Sequence, residues 1–186
     1  VGRGAEAGAR LGHVDRLVNV IVRNCIDGVH VVVGIKICVE PVHRHHELVG
    51  RRPERLVLRV DRTDPSKNIV RGFRAFELYL EAHPEMHRHV TMLALLDPSR
   101  QDIPEYAEYL GAIQREARRV NDRFQQDGWA PIELVIEDHF AASVAAYKQF
   151  DVLFVNAIFD GMNLIAKEAP LVNERDGVLI LSENAG

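Results

Sequence analysis

Arg55-Leu56-Val57-Leu58-Arg59-Val60-Asp61-Arg62-Thr63-Asp64-Pro65-Ser66-Lys67 is the stretch on which the fold turns. Its first half, Leu56-Val57-Leu58-Arg59-Val60, is a short, largely apolar run suited to a strand buried on both faces. Asp64-Pro65 then marks a helix start, with Asp as the cap and Pro at the first helical position. The helix is expected to reach about residue 82 and to bury Ile69, Phe73, Phe76 and Leu80, which recur at helical spacing.

The same unit repeats outward along the chain. A strand is expected over 90–96, and Pro104 opens a long helix. Tyr106, Leu110, Ile113, Ala117, Val120 and Phe124 fall on one stripe of that helix, and Gly128 lies just beyond its end. Glu105, Glu108, Arg115, Glu116, Arg118 and Arg119 read as its wet face. Trp129, ahead of Pro131, reads as a packing anchor leading into the next strand. Further strands are expected over 132–136, 151–155 and 178–181, with helices over 141–149 and 163–171. Strands alternating with helices through short connections imply an α/β fold with a parallel sheet and right-handed crossovers. Ligands of such sheets bind outside the carboxyl ends of the strands, which directs attention to the loops 61–67 and 156–163.

The 186 residues suffice for one sizeable domain. A net charge of −4, with acidic and basic residues interleaved, gives no electrostatic reason to expect nucleic acid or an anionic membrane as partner. An anionic ligand must therefore be held by a local cluster. The two cysteines, Cys25 and Cys38, lack metal-ligand spacing and point to a reduced, cytoplasmic chain, with one disulfide left open. The most apolar stretch, 30–39, is interrupted by Gly34 and Lys36 and is far shorter than the ~20 residues of a membrane span. Residues 1–10 lack the pattern of a signal peptide. Residues 1–48 show no clear period beyond a strand at 29–33 and are left unassigned; 49–186 form the expected domain. His43-Arg44-His45-His46 has no second ligand group at a diagnostic spacing, and no metal site is expected there.

The first loop places backbone N–H groups and a helix dipole near a strand end, which favours a phosphate. Arg62 adds a planar donor fork and Lys67 a compact charge, a pair suited to a diphosphate. The second loop, Asn156-Ala157-Ile158-Phe159-Asp160-Gly161-Met162-Asn163-Leu164, combines a tight Asp-Gly turn with an immediate helix. Asp160 can accept hydrogen bonds from sugar hydroxyls, the N–H groups near 162–164 can meet an anion or sugar oxygens, and Glu168 can take vicinal ribose hydroxyls. Each motif alone also fits a solvated helix start or an ordinary capped turn.

Val60-Asp61-Arg62-Thr63-Asp64-Pro65-Ser66-Lys67, Pro98-Ser99-Arg100, Asp160-Gly161-Met162-Asn163-Leu164-Ile165-Ala166-Lys167-Glu168 and Leu179-Ile180-Leu181-Ser182-Glu183 occur in one order. In that order they resemble the trehalose-phosphate synthases, over about residues 48–186. The resemblance implies the C-terminal, Rossmann-like half of a two-domain (GT-B type) retaining glycosyltransferase, with helices on both faces of its sheet. It implies transfer of glucose from a nucleotide diphosphate sugar to glucose 6-phosphate. Arg62 and Lys67 would grip the diphosphate as the catalytic pair. Asp160, Gly161, Met162, Asn163, Leu164 and Ile165 would surround the sugar and phosphate, Glu168 would hold the ribose, and Arg100 would meet the acceptor phosphate. No cofactor or metal is implied, and a homo-oligomer of the full-length protein is allowed.

Pro65 and Asn68 depart from the family's usual Tyr-Ser-Lys-Gly, and Phe159 stands where an Arg is usual. The run 168–176 is also similar to the related cyclitol-coupling pseudo-glycosyltransferases. The family's first domain has no counterpart here, and the second is expected to be truncated at its C-terminal end. Alternative readings are therefore a non-catalytic nucleotide-sugar-binding module or cyclitol coupling.

Overall fold

The computed structural model describes residues 17–26, 29–38, 52–138 and 140–185; the run His43-Arg44-His45-His46 lies outside them. The chain divides into two units, Val1–Pro41 and Val42–Gly186. In the first, β1 (Leu17–Ile26) pairs antiparallel with β2 (Val29–Cys38), so the strand expected at 29–33 is longer and has a partner. Their register sets Cys38 opposite Leu17 and Cys25 opposite His30.

The second unit holds five parallel strands: β3 (Arg55–Arg62), β4 (Val90–Asp97), β5 (Ile132–Ile136), β6 (Val152–Val155) and β7 (Val178–Leu181). Their order across the sheet is β5-β4-β3-β6-β7. The helices are α1 (Ile69–Ala82), α2 (Pro104–Phe124), α3 (Phe140–Tyr147) and α4 (Leu164–Val172). Strand β4 shows why the sheet is covered twice. Val90, Met92, Ala94 and Leu96 pack with Phe73 and Leu80 of α1 and with Ile113 and Val120 of α2. Leu93 and Leu95 point the other way, toward Ala146 of α3 and Ala169 of α4.

The chain runs from β3 to β4 to β5 in one direction, then returns to place β6 on the other side of β3. The switch point of the sheet therefore falls between β3 and β6, and the crevice outside the carboxyl ends at such a point is the usual ligand position.

The first helix departs from its expected boundaries at one informative place. Asp64 does act as a cap, its Oδ1 accepting from the Ser66 N–H at 2.9 Å. The turn it caps, Pro65–Lys67, is a single 3-10 turn, and Asn68 follows at φ 58° in the left-handed region. Asparagine tolerates that conformation better than most residues. Only then does α1 begin, and its first N–H, on Ile69, is met at 2.8 Å by the Tyr109 hydroxyl of α2. Lys67 therefore sits on a short, separately capped turn.

The expected wet face of α2 also needs correction. Glu116 is buried and accepts from Arg74 of α1 and from Arg119, both at 2.9 Å. Glu77 of α1 is buried beside it and receives Arg119 and Arg123. Hydrogen bonds from Arg119 hold both carboxyls below their ordinary range, against the effect of burial. The stripe of α2 faces the core as expected, with Ile113, Ala117 and Val120 buried, and the rim of that stripe is an ion-pair seam between α1 and α2. Trp129 is anchored by its Nε1, which donates to the Val90 carbonyl at 3.0 Å.

Candidate functional site

The sequence placed function in the loops after β3 and β6, and the structure brings these loops together. Ile158 N–H donates to the Ser66 carbonyl at 2.8 Å. Asn68 Nδ2 donates to the Asn156 carbonyl at 3.1 Å, and Asn156 Nδ2 returns a bond to the Asn68 carbonyl at 3.3 Å. Lys67 Nζ closes the contact, 2.5 Å from Asp160 Oδ2, with both side chains mostly buried. This pair spans the crevice between β3 and β6.

Asp160 is a junction. Its Oδ2 also accepts from Asn163 Nδ2 at 2.9 Å, and the Met162 N–H bonds its carboxylate. Burial raises this carboxyl, but the Lys67 and Asn163 hydrogen bonds and the Lys67 charge outweigh it and hold the group below its ordinary value. Asn163 is buried, and its Oδ1 caps α4 by accepting from Ala166 N–H at 2.8 Å. Its side chain is thus committed to the helix and to Asp160, leaving only its backbone for a ligand. Asn163→Ala should cost about 1 kcal/mol as a lost cap, read from urea unfolding.

The loop after β4 joins the same rim. Thr63 N–H donates to the Asp97 carbonyl at 2.8 Å, and the Thr63 hydroxyl accepts from Ser99 N–H at 2.9 Å. Arg62 ends β3, exposed, opposite Asp97 in the register and within electrostatic reach of Asp64 and Asp97. Arg100 is exposed at φ 33°, its guanidinium 5.7 Å from the Tyr106 ring, while the Tyr106 hydroxyl donates to Asp64 Oδ2 at 3.3 Å. Glu168 lies half-buried in α4, and burial raises its carboxyl. Gly161 has open space where a side chain would stand. Ile158, Phe159, Met162 and Leu164 are each more than half exposed and form an apolar flank beside the charged pair; Ile165 turns inward against the core.

Beneath the rim lies a charged pair inside the apolar run of β3. Arg59 is fully buried, 2.9 Å from Asp61 Oδ2, and its guanidinium also donates to the Lys67 carbonyl at 2.5 Å and to Asn156 Oδ1. Residues 59 and 61 share one face of β3. A charge inside a run buried on both faces needs a partner, and that was the available signal.

Burial pushes the Asp61 carboxyl up to about 6, against the opposing pull of Arg59 and Lys67. The folded chain therefore binds this proton more tightly than the unfolded chain. The group's favourable contribution is present below pH ~4 and is lost as pH rises through about 6. Asp61→Asn mimics the protonated form. Between pH 4 and 7 its unfolding free energy should gain up to about 3 kcal/mol on the parent, measured by urea titration at each pH; parallel pH profiles would contradict this.

A cavity of about 400 Å³ opens at the other end of the sheet, lined by Val57, Phe76, Tyr79, Val90, Val152 and Phe154. Its walls are apolar apart from Arg55 and Asp151 at the rim. Among the described residues no group of three or more His, Cys, Asp or Glu could hold a metal ion, and no helix is long and apolar enough to cross a membrane.

Residues 18–186 match the model of glycosyltransferase family 20, and the match reaches into the segment before residue 49. A bifunctional trehalose-6-phosphate synthase/phosphatase of Thermoproteus tenax is 37% identical over 153 residues, 80% of this chain and 20% of that protein. An α,α-trehalose-phosphate synthase [UDP-forming] of Schizosaccharomyces pombe is 37% identical over 134 residues, 71% of this chain and 26% of that protein. A crystal structure of an α,α-trehalose-phosphate synthase (UDP-forming) from Burkholderia xenovorans, in complex with glucose-6-phosphate, superposes with a TM-score of 0.71 at 33% identity. That superposition covers 78% of this chain and 32% of the Burkholderia chain. The chain thus spans about a fifth to a third of the length of these proteins. Its doubly covered parallel sheet is that of their GT-B fold, and the chain belongs to glycosyltransferase family 20.

Proposed function

We propose that this chain is the donor-binding half of a retaining glycosyltransferase that moves glucose from a nucleotide diphosphate sugar to glucose 6-phosphate. The observation that carries the reading is the meeting of the three loops after β3, β4 and β6 at one rim. There Lys67 spans the crevice to Asp160, and Arg62 and Arg100 stand on the same edge. Family membership and the UDP-forming relatives support the donor class; the glucose-6-phosphate complex of the Burkholderia relative supports the acceptor.

As the glycosidic bond breaks, negative charge grows on the leaving diphosphate. Lys67 and Arg62 stabilise that charge, and the work asks for no metal ion. Lys67 is already oriented by Asp160, so little reorganisation accompanies the step. Asp160 and the backbone around Gly161 face the sugar, Glu168 the ribose, and Arg100 the acceptor phosphate. The leaving phosphate takes the proton of the acceptor hydroxyl, and retention follows from attack on the face the diphosphate leaves. The reading places the protein in the cytoplasm.

The test is a coupled assay of nucleoside diphosphate release by this chain joined to the acceptor-binding half of a family 20 relative, with UDP-glucose and glucose 6-phosphate. Release that depends on both substrates is expected. Binding of UDP-glucose without release would instead make the domain a binding module, and a cyclitol-coupled product in mass spectrometry would change the acceptor.

A further inference from the structure

We infer that Arg59 is a positioning residue for the nucleotide-sugar site: from beneath the rim its guanidinium sets the two donor loops relative to each other. The inference rests on the proposed donor site and adds to it a residue that makes no contact with the substrate.

The guanidinium has two terminal nitrogens, and they serve different loops. Nη2 reaches back to Asp61 at 2.9 Å and holds the Lys67 carbonyl at 2.5 Å, which fixes the backbone from which the Lys67 ammonium extends. Nη1 holds Asn156 Oδ1, at the start of the loop that carries Asp160. Asn156 in turn exchanges two hydrogen bonds with Asn68, the left-handed residue that ends the Lys67 turn. One planar cation therefore gauges the width of the crevice that the Lys67–Asp160 pair spans. A lysine at this position would keep the charge and lose the fork that spans two loops.

Two further observations show that the position is built rather than incidental. Arg59 Nε is buried with no hydrogen-bond partner, so the head is placed by what the terminal nitrogens reach, at the expense of one donor. Gly72 of α1 leaves the space the head occupies. A Cβ there would stand 3.1 Å from Asn156 Oδ1 and nearer still to Arg59 Nη1. Phe154 covers the remaining side, its ring centroid 5.9 Å from the guanidinium carbon.

Gly72→Ala offers a test that removes no charge and no hydrogen-bonding group, and alanine favours the helix. It should push the Arg59 head away from Asn156. Asn156→Ala removes the same link from the other loop without crowding, and serves where Gly72→Ala does not fold. Titration calorimetry with UDP as the probe is run on the full chain, at a temperature where circular dichroism shows each variant folded. Both variants are expected to bind UDP about tenfold more weakly than the parent. In a Lys67→Ala background the same changes should cost less than threefold, because Arg59 acts through Lys67. A merely structural role would shift the melting temperature and leave the affinities and this coupling unchanged. Parent-like UDP affinity of a folded variant, or equal losses with and without Lys67, overturns the inference. A parent chain that does not bind UDP removes instead the donor-site reading beneath it.

Discussion

On the proposed donor-site reading, Lys67→Ala and Arg62→Ala, made separately in this chain joined to the acceptor-binding half of a family 20 relative, are each expected to lower turnover by about 100- to 1000-fold, the loss that follows removal of one preorganised donor to a developing anion. Lys67 is the better placed of the two. Its ammonium is mostly buried, fixed at 2.5 Å by Asp160, and its backbone is held from below by Arg59. An ion that need not be reoriented during bond breaking contributes more in the transition state than in the ground state, and the loss should fall on kcat as well as on kcat/KM. Arg62 is exposed, within electrostatic reach of Asp64 and Asp97, so its loss should be more sensitive to salt. Steady-state assays with saturating and limiting UDP-glucose separate these effects. Near-normal turnover of Lys67→Ala would end its role as the principal cation.

Arg59→Met has the largest expected effect on stability, a loss of about 3–5 kcal/mol at pH 7, because it leaves Asp61 buried without its partner and frees the Lys67 carbonyl and Asn156 Oδ1. Asp61 already sits near pH 6 with Arg59 present, so without that cation it folds as the neutral acid. Part of the loss should therefore return on lowering the pH to 5. The double variant Arg59→Met, Asp61→Leu should recover most of the stability, since removing both members of a buried pair is often neutral. It should not recover nucleotide affinity, because the link between the loops is gone. Urea unfolding of the three variants reads the first effect. A single-variant loss below 1 kcal/mol would mean that Asp61 is solvated or otherwise paired.

The strands at 132–136 and 178–181 could be read from the chain because each is an apolar run between turn signals. The helix expected at 163–171 matches α4 to within a residue, but Asn163, taken there as its first residue, is its cap. The start of α1 could not be read: Asp64 and Pro65 signal a helical turn but not that Asn68 then leaves the right-handed region. The burial of Glu116 depends on Arg74 in another helix, and the burial of Arg59 on Asn156, 97 residues away. Such long-range pairings leave no periodic trace. The candidate loops were legible because their residues are local and recur in one order. What holds the loops together was not, because it is assembled across the sheet.

The proposed nucleotide-sugar site lies where the loops after β3 and β6 meet, and not in the apolar cavity at the other end of the sheet. Amide chemical-shift mapping of the chain during titration with UDP-glucose tests it most directly. The largest perturbations are expected at Arg62–Asn68, Arg100 and Asp160–Glu168, and in Lys67→Ala they should need more UDP-glucose to reach the same size. Perturbations gathered instead at Val57, Tyr79, Val90 and Val152, with the Lys67 turn unmoved, would contradict it.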